Sequence, residues 1–111
     1  MIVVSNRMFQ SISAADAKKM MESGQDIKIL DVRTKDEYAE GHIKDAVLLP
    51  VAEVELEAED VLEDKGQAVL VYCRSGVKSR IASQLLVELG YTDVYEFGGI
   101  LNWPYEITKE D

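Results

Sequence analysis

Short blocks of aliphatic and β-branched residues alternate along this chain with stretches whose apolar positions recur every three or four residues. Ile27-Lys28-Ile29-Leu30-Asp31-Val32, Ala46-Val47-Leu48-Leu49 and Ala68-Val69-Leu70-Val71-Tyr72 are the strongest blocks, and their nearly continuous apolar character predicts strands buried on both faces. Pro50 closes the second, and Val94-Tyr95-Glu96-Phe97 predicts a last short strand before Gly98-Gly99. Between the blocks lie helix patterns. Ser13-Ala14-Ala15-Asp16 has capping-box spacing and opens a helix over about 14–23, with Ala17, Met20 and Met21 on its apolar side. Thr34-Lys35-Asp36-Glu37 is a second box, opening a helix over about 35–40 that Gly41 ends. Val54, Ala58, Val61 and Leu62 give an amphipathic helix within 53–64. Ile81, Ala82, Leu85, Leu86 and Leu89 give another over about 79–89, stopped by Gly90.

Helices alternating with buried strands predict an α/β fold, a parallel sheet covered by helices on both faces. No repeat, low-complexity tract or linker interrupts the pattern, so one domain over 1–111 is expected. Ligands of such sheets bind outside the carboxyl ends of the strands. Asp31 and Cys73 both fall at strand exits and are expected on that rim.

Charge and cysteine content narrow the function classes. A net charge of -9 repels polyanions, so nucleic acid and anionic membrane are not expected partners. The apolar runs are too short to cross a bilayer, and Met1-Ile2-Val3-Val4 lacks the features of an export leader. One cysteine allows no internal disulfide and supplies no resolving thiol, which suits a reducing cytoplasm. Charge is also segregated. Residues 53–64 carry seven acidic and no basic residues, the pattern of a solvated helix face, whereas residues 74–80 carry only positive charge.

That positive segment begins at the cysteine. Cys73 sits between a buried strand and a helix, where backbone N–H groups and the positive helix end favour thiolate over thiol. Arg74, Lys78 and Arg80 add positive charge, and Gly76 allows successive N–H groups to converge on an anion. The run Cys73-Arg74-Ser75-Gly76-Val77-Lys78-Ser79 is therefore a candidate nucleophile inside an anion cradle. Arg74 and Lys78 are candidates for attracting an anionic donor, Ser75 for an added hydroxyl donor, and Ser79 for capping the following helix.

Asp31-Val32-Arg33, Glu37-Tyr38, Gly41-His42-Ile43, the Cys73 loop and Gly98-Gly99 followed by Trp103 occur in an order that resembles the rhodanese-like sulfurtransferase domains. The likeness runs from about Ser11 to Trp103. It implies a three-layer fold around a five-stranded parallel sheet, and an active cysteine that carries a persulfide. Related phosphatase domains have one more loop residue and end the loop in arginine, whereas Ser79 holds that place here. Many single-domain members similar to this chain have arginine where Lys78 stands, and lysine lacks the planar fork that grips an oxyanion through two bonds. The implied reaction is double displacement. Cys73 thiolate takes the outer sulfur of thiosulfate, a persulfide or another sulfane donor, and a thiol or protein acceptor removes it. No metal or organic cofactor is called for, and a monomer is expected. An alternative use of the same residues is a persulfide- or redox-sensing module.

The remaining polar residues have structural readings. Arg33 and Glu37, four apart, are expected to form an ion pair. Asp31 is read as a supporting residue that accepts hydrogen bonds, and His42 as a turn residue bonded locally rather than a general base. Trp103 is expected to pack in the core. The polar tail from Glu106 is expected to fray.

Overall fold

The computed structural model describes residues 8–110, so the apolar stretch 1–4 lies outside the described residues. Five strands form one parallel sheet in the order β1-β5-β4-β2-β3. They are β1 (Gln10–Ser11), β2 (Ile27–Asp31), β3 (Ala46–Leu48), β4 (Ala68–Cys73) and β5 (Val94–Gly99). Four helices connect them: α1 (Ala14–Glu22), α2 (Lys35–Glu40), α3 (Val54–Val61) and α4 (Val77–Glu88). Each segment read as strand or helix from the sequence is one, α2 with the expected bounds and the others with shifted ends. The two-residue β1 had no hydrophobic pattern, because both its residues are exposed and pairing with β5 alone makes it a strand.

Period-two alternation divides the core between the two faces. On one face Leu30, Val69, Val71 and Cys73 pack against Val54, Ala58 and Leu62 at α3 and Ala82, Leu86 and Val87 of α4. On the other, Ile29, Leu70, Tyr72 and Phe97 meet Ala17 of α1 and Tyr38 of α2. Each fully buried valine or leucine contributes roughly 1.5–3 kcal/mol. The acidic helix follows its predicted orientation, with Glu55, Glu57, Glu59 and Asp60 exposed. Its carboxyl end is tied down by Tyr91, whose hydroxyl reaches the carbonyls of Ala58 at 3.1 Å and Leu62 at 2.5 Å. No helix among the described residues is long and apolar enough to cross a membrane.

Both spacings mark a helix cap, though only the second closes as a full capping box. Ser13 Oγ accepts from the Asp16 N–H at 3.0 Å, and the Thr34 and Glu37 side chains bond each other's backbone reciprocally. That second box overturns the expected Arg33–Glu37 ion pair. Glu37 turns to its helix cap, while Arg33 folds back on Asp31, with Nη2 2.6 Å from Oδ2 and Nε 2.9 Å from Oδ1. The tail also differs from expectation. Thr108 pairs with His42 through two backbone bonds of 2.7 and 2.8 Å, and His42 Nε2 lies 2.7 Å from the Glu110 carbonyl oxygen. A buried histidine thus holds the tail against the fold where polar composition alone suggested fraying.

Tyr72 joins the two halves of the sheet rim. Its hydroxyl donates to Asp31 Oδ2 at 2.6 Å and accepts from the Ile43 N–H at 3.0 Å. Tyr72→Phe leaves that buried N–H unpaired, and should cost about 1–3 kcal/mol in urea unfolding at neutral pH. Burial, then the Asp31 charge, push the Tyr72 phenol far above its ordinary value. An unfolded chain releases the same proton near pH ~10. Stability is therefore full below about pH 10 and falls above it, as the unfolded chain ionises and the folded one stays neutral. Tyr72→Phe should flatten this alkaline limb; an unchanged slope counts against the assignment.

Candidate active site

Cys73 is the last residue of β4 and is 2% exposed. The pairing of β4 with β5 shifts between Val71 and Cys73, so that Cys73 stands opposite Gly99. Arg74, Ser75 and Gly76 then turn the chain into α4, which starts at Val77 and not at Ser79. Gly76 has φ 104°, in the left-handed region where a side chain is strained, and its N–H donates to Cys73 Sγ at 2.9 Å. Gly99 is required for a different reason. A Cβ there would collide with the Arg74 carbonyl and the Ser75 Cα, so the turn rests directly on the β5 backbone. The Leu101 N–H donates to the Arg74 carbonyl at 3.2 Å and fixes the turn from the same side.

A cavity of about 300 Å³ opens over this turn. Cys73, Arg74, Ser75, Val77 and Lys78 line it, and Arg33 and Glu37 complete the wall. Arg74, Ser75 and Lys78 are exposed, free to meet an entering anion, whereas Arg33 is buried and committed to Asp31. Burial opposes the Arg33 charge, but the hydrogen bond and charge of Asp31 outweigh it and raise the guanidinium above its ordinary value. The Thr34 N–H holds Glu37 below the usual glutamate range. Desolvation opposes that shift, and the charges of Arg33 and Lys78 reinforce it. The cavity thus combines fixed positive charge with one ionised carboxylate at its wall.

The residues expected at the site separate into two groups. Cys73 and the loop through Lys78 come together at the cavity. Asp31 shares the rim but not the cavity, because it is paired in register with Tyr72, one residue before Cys73 on β4. It acts on the site through Arg33, to which it also gives an acceptor for the backbone N–H at 3.0 Å. His42 is away from the cysteine, its ring stacked on Tyr38 with centroids 3.7 Å apart and Nδ1 2.8 Å from the Tyr38 carbonyl oxygen. Trp103 packs against Phe97 and Tyr105, in keeping with a packing role. Among the described residues no group of three His, Cys, Asp or Glu side chains lies close enough to hold a metal ion.

Ser79 does not cap α4. It is buried inside the first turn of the helix, and the cap position belongs to Gly76, which offers no side chain. Its hydroxyl lies 3.4 Å from Cys73 Sγ, 2.9 Å from the Gly76 carbonyl oxygen and 2.8 Å from Glu96 Oε2. Glu96 was missed as a site residue. The available signal was its position, a carboxylate inside an otherwise apolar strand; it is 3% exposed.

The Cys73 sulfur thus accepts a backbone N–H at the start of a helix, beside exposed cations. The family model for the rhodanese-like domain matches residues 13–105. A thiosulfate sulfurtransferase, GlpE of Coxiella burnetii, is 39% identical over 97 residues, which is 86% of this chain and 88% of that protein. The thiosulfate sulfurtransferase PspE of Escherichia coli is 37% identical over 71 residues, covering 64% of this chain and 68% of its own. A solved structure described as rhodanese with anions from E. coli superposes with a TM-score of 0.71 at 32% identity, over 76% of this chain and 99% of that one. On the extent of these matches and the shared five-stranded parallel sheet, the chain belongs to the rhodanese-like domain family.

Proposed function

We propose that this protein is a sulfurtransferase that takes a sulfane sulfur from thiosulfate or a related donor onto Cys73 as a persulfide, then delivers it to a thiophilic acceptor. The observation that carries this reading is Cys73 Sγ in a cationic cavity, accepting the Gly76 N–H at 2.9 Å. Relatives named thiosulfate sulfurtransferase supply the choice of chemistry. In the first half-reaction the sulfur of Cys73 attacks the outer sulfur of the donor, an S–S bond forms, and the donor's own S–S bond breaks with its electron pair leaving on sulfite. Arg74 and Lys78 draw in the dianion and balance the charge that gathers on the leaving group. In the second half-reaction an acceptor nucleophile, a small thiol or a protein thiol, attacks the outer sulfur of the persulfide and regenerates Cys73.

The loop and the cavity wall come from one chain, so a monomer can carry out both halves. A reducing compartment such as the cytoplasm keeps the single thiol available.

Incubation with thiosulfate should add one sulfur to the intact mass, and cyanide should remove it as thiocyanate over many turnovers. Cys73→Ser should abolish both. A wild-type mass that thiosulfate never changes would remove thiosulfate as donor, and one modification without turnover would make the protein a sensor. Lys78→Ala should raise KM for thiosulfate about tenfold, corresponding to roughly 1.4 kcal/mol of binding. Lys78→Arg should lower KM below wild type by restoring a two-bond grip, with kcat little changed in both variants. Equal KM values in all three proteins would place Lys78 outside donor binding.

A further inference from the structure

Among the described residues Glu96 is a carboxylate with no cation in an ion pair, unlike Asp31 at the same rim. It is 3% exposed. Its donors are all neutral: the Gly98 N–H and the Ser79 hydroxyl on Oε2 at 2.5 and 2.8 Å, and the Ser11 hydroxyl on Oε1 at 3.4 Å. Ser79, 0% exposed, stands between this carboxylate and the sulfur of Cys73.

A hydroxyl has one hydrogen, and that hydrogen decides what the chain of groups can do. With the Cys73 thiol and the Glu96 carboxylate, the S–H donates to Ser79 Oγ and the Ser79 O–H donates to Glu96. With thiolate and carboxylic acid, both bonds reverse: Glu96 donates to Ser79 Oγ and the Ser79 O–H turns to the sulfur. Either arrangement is satisfied throughout. If both ends are ionised, Ser79, whose hydroxyl also lies 2.9 Å from the Gly76 and 3.3 Å from the Gly98 carbonyl oxygen, can serve only one of two buried anions, and the other keeps neutral donors alone: the Gly76 N–H on the sulfur, or the Gly98 N–H and Ser11 hydroxyl on Glu96.

From this count we infer that Cys73 and Glu96 share one proton through Ser79, and that Glu96 takes the thiol proton when Cys73 becomes the nucleophile. The inference rests on the sulfur-carrier reading proposed above and assigns Glu96 a positioning role in it. The S–H bond of Cys73 breaks toward Ser79 Oγ while the Ser79 O–H bond breaks toward Glu96 Oε2. Thiolate, intact hydroxyl and neutral carboxylic acid remain, and no oxidant or reductant enters. The site keeps a single negative charge before the donor arrives, so a dianionic donor meets no more negative charge than the resting site already carries.

Other charged groups surround the pair without interrupting it. Arg33, Glu37, Arg74 and Lys78 stand around the cavity, and the Arg80 guanidinium lies beside Gly76. Toward Glu96, β1 presents Ser11 and β4 presents Val71, neither of them charged. The α1 helix, which packs on β5, buries only Ala17; Asp16, Lys19 and Glu22 are exposed and Lys18 pairs with Glu22.

The test is the pH dependence of Cys73 alkylation by iodoacetamide, a reaction of thiolate, measured on the full chain. Wild type should show two steps: a plateau of reactivity on the acidic side, where the proton is shared, and a second rise at alkaline pH, where it is lost. Glu96→Gln should show one step, its rate falling about tenfold per pH unit below the midpoint, while the alkaline rates of the two proteins converge. Ser79→Ala should behave in the same way. A merely structural Glu96 would instead scale the rate equally at every pH, and that result overturns the inference. A single-step profile in wild type overturns it as well, with no variant required, so a Glu96→Gln chain that does not fold leaves the test intact. Persulfide formation from thiosulfate, followed by mass on the same samples, separates the two readings. A two-step profile without sulfur uptake keeps the shared proton and removes thiosulfate as donor; sulfur uptake with a single-step profile does the reverse.

Discussion

A carboxylate without access to water must be neutralised where it stands, and the rim of this sheet is arranged around one. Asp31 is 0% exposed and receives the Arg33 backbone N–H, the Arg33 guanidinium and the Tyr72 hydroxyl. Leaving such a charge unpaired costs several kcal/mol, so these donors are fixed in position as firmly as the core. Their other bonds then fix the neighbourhood. Tyr72 accepts from Ile43 and Arg33 reaches the Gly41 carbonyl at 2.7 Å, so the end of β2, the end of β4 and the chain entering β3 are held together. Cys73 is the residue after Tyr72. Its position is set from behind by this buried cluster and from the other side by the backbone of Gly99.

What the sequence disclosed and what it withheld follow from the range of the interactions involved. The helix caps of α1 and α2 are bonds across three residues, and they were visible as residue spacing. The strands β2, β3 and β4 are buried on both faces, and their composition records that burial. The start of α4 left no such trace, since Gly76 caps the helix by backbone conformation and contributes no side chain. The partner of Arg33 was misjudged because helical spacing favours Glu37, whereas the stronger demand came from a buried carboxylate two residues back. Glu96 was read as one more strand residue. Its meaning depends on Ser79, 17 positions earlier, and on the turn that brings α4 over β5.

The candidate nucleophile was legible because its chemistry and its place in the fold coincide. A thiol at the exit of an apolar strand, followed by glycine and cations, has few structural uses, and the cavity over Cys73 agrees with that reading. The less visible part is support. Arg33 belongs to the wall of the cavity and to the buried cluster at once, and Ser79 belongs to the helix and to the sulfur. Such residues cannot be assigned from composition, since each is defined by two partners that lie far apart in the chain.

The strand order also governs the sequence of events by which the chain can assemble. β1 lies beside β5, joining residues 85 apart, while the strand bearing Cys73 is central and pairs with elements on both sides. On a ribosome the first strand waits with its edge open until the last has emerged. Gly99, which seats the Arg74 turn, arrives at the same late moment. Contacts this distant make assembly slow compared with a helical bundle of equal size. Edge closure and the seating of the Cys73 turn both wait for β5, so a truncated nascent chain lacking it exposes an incomplete sheet and leaves that turn unsupported on one side.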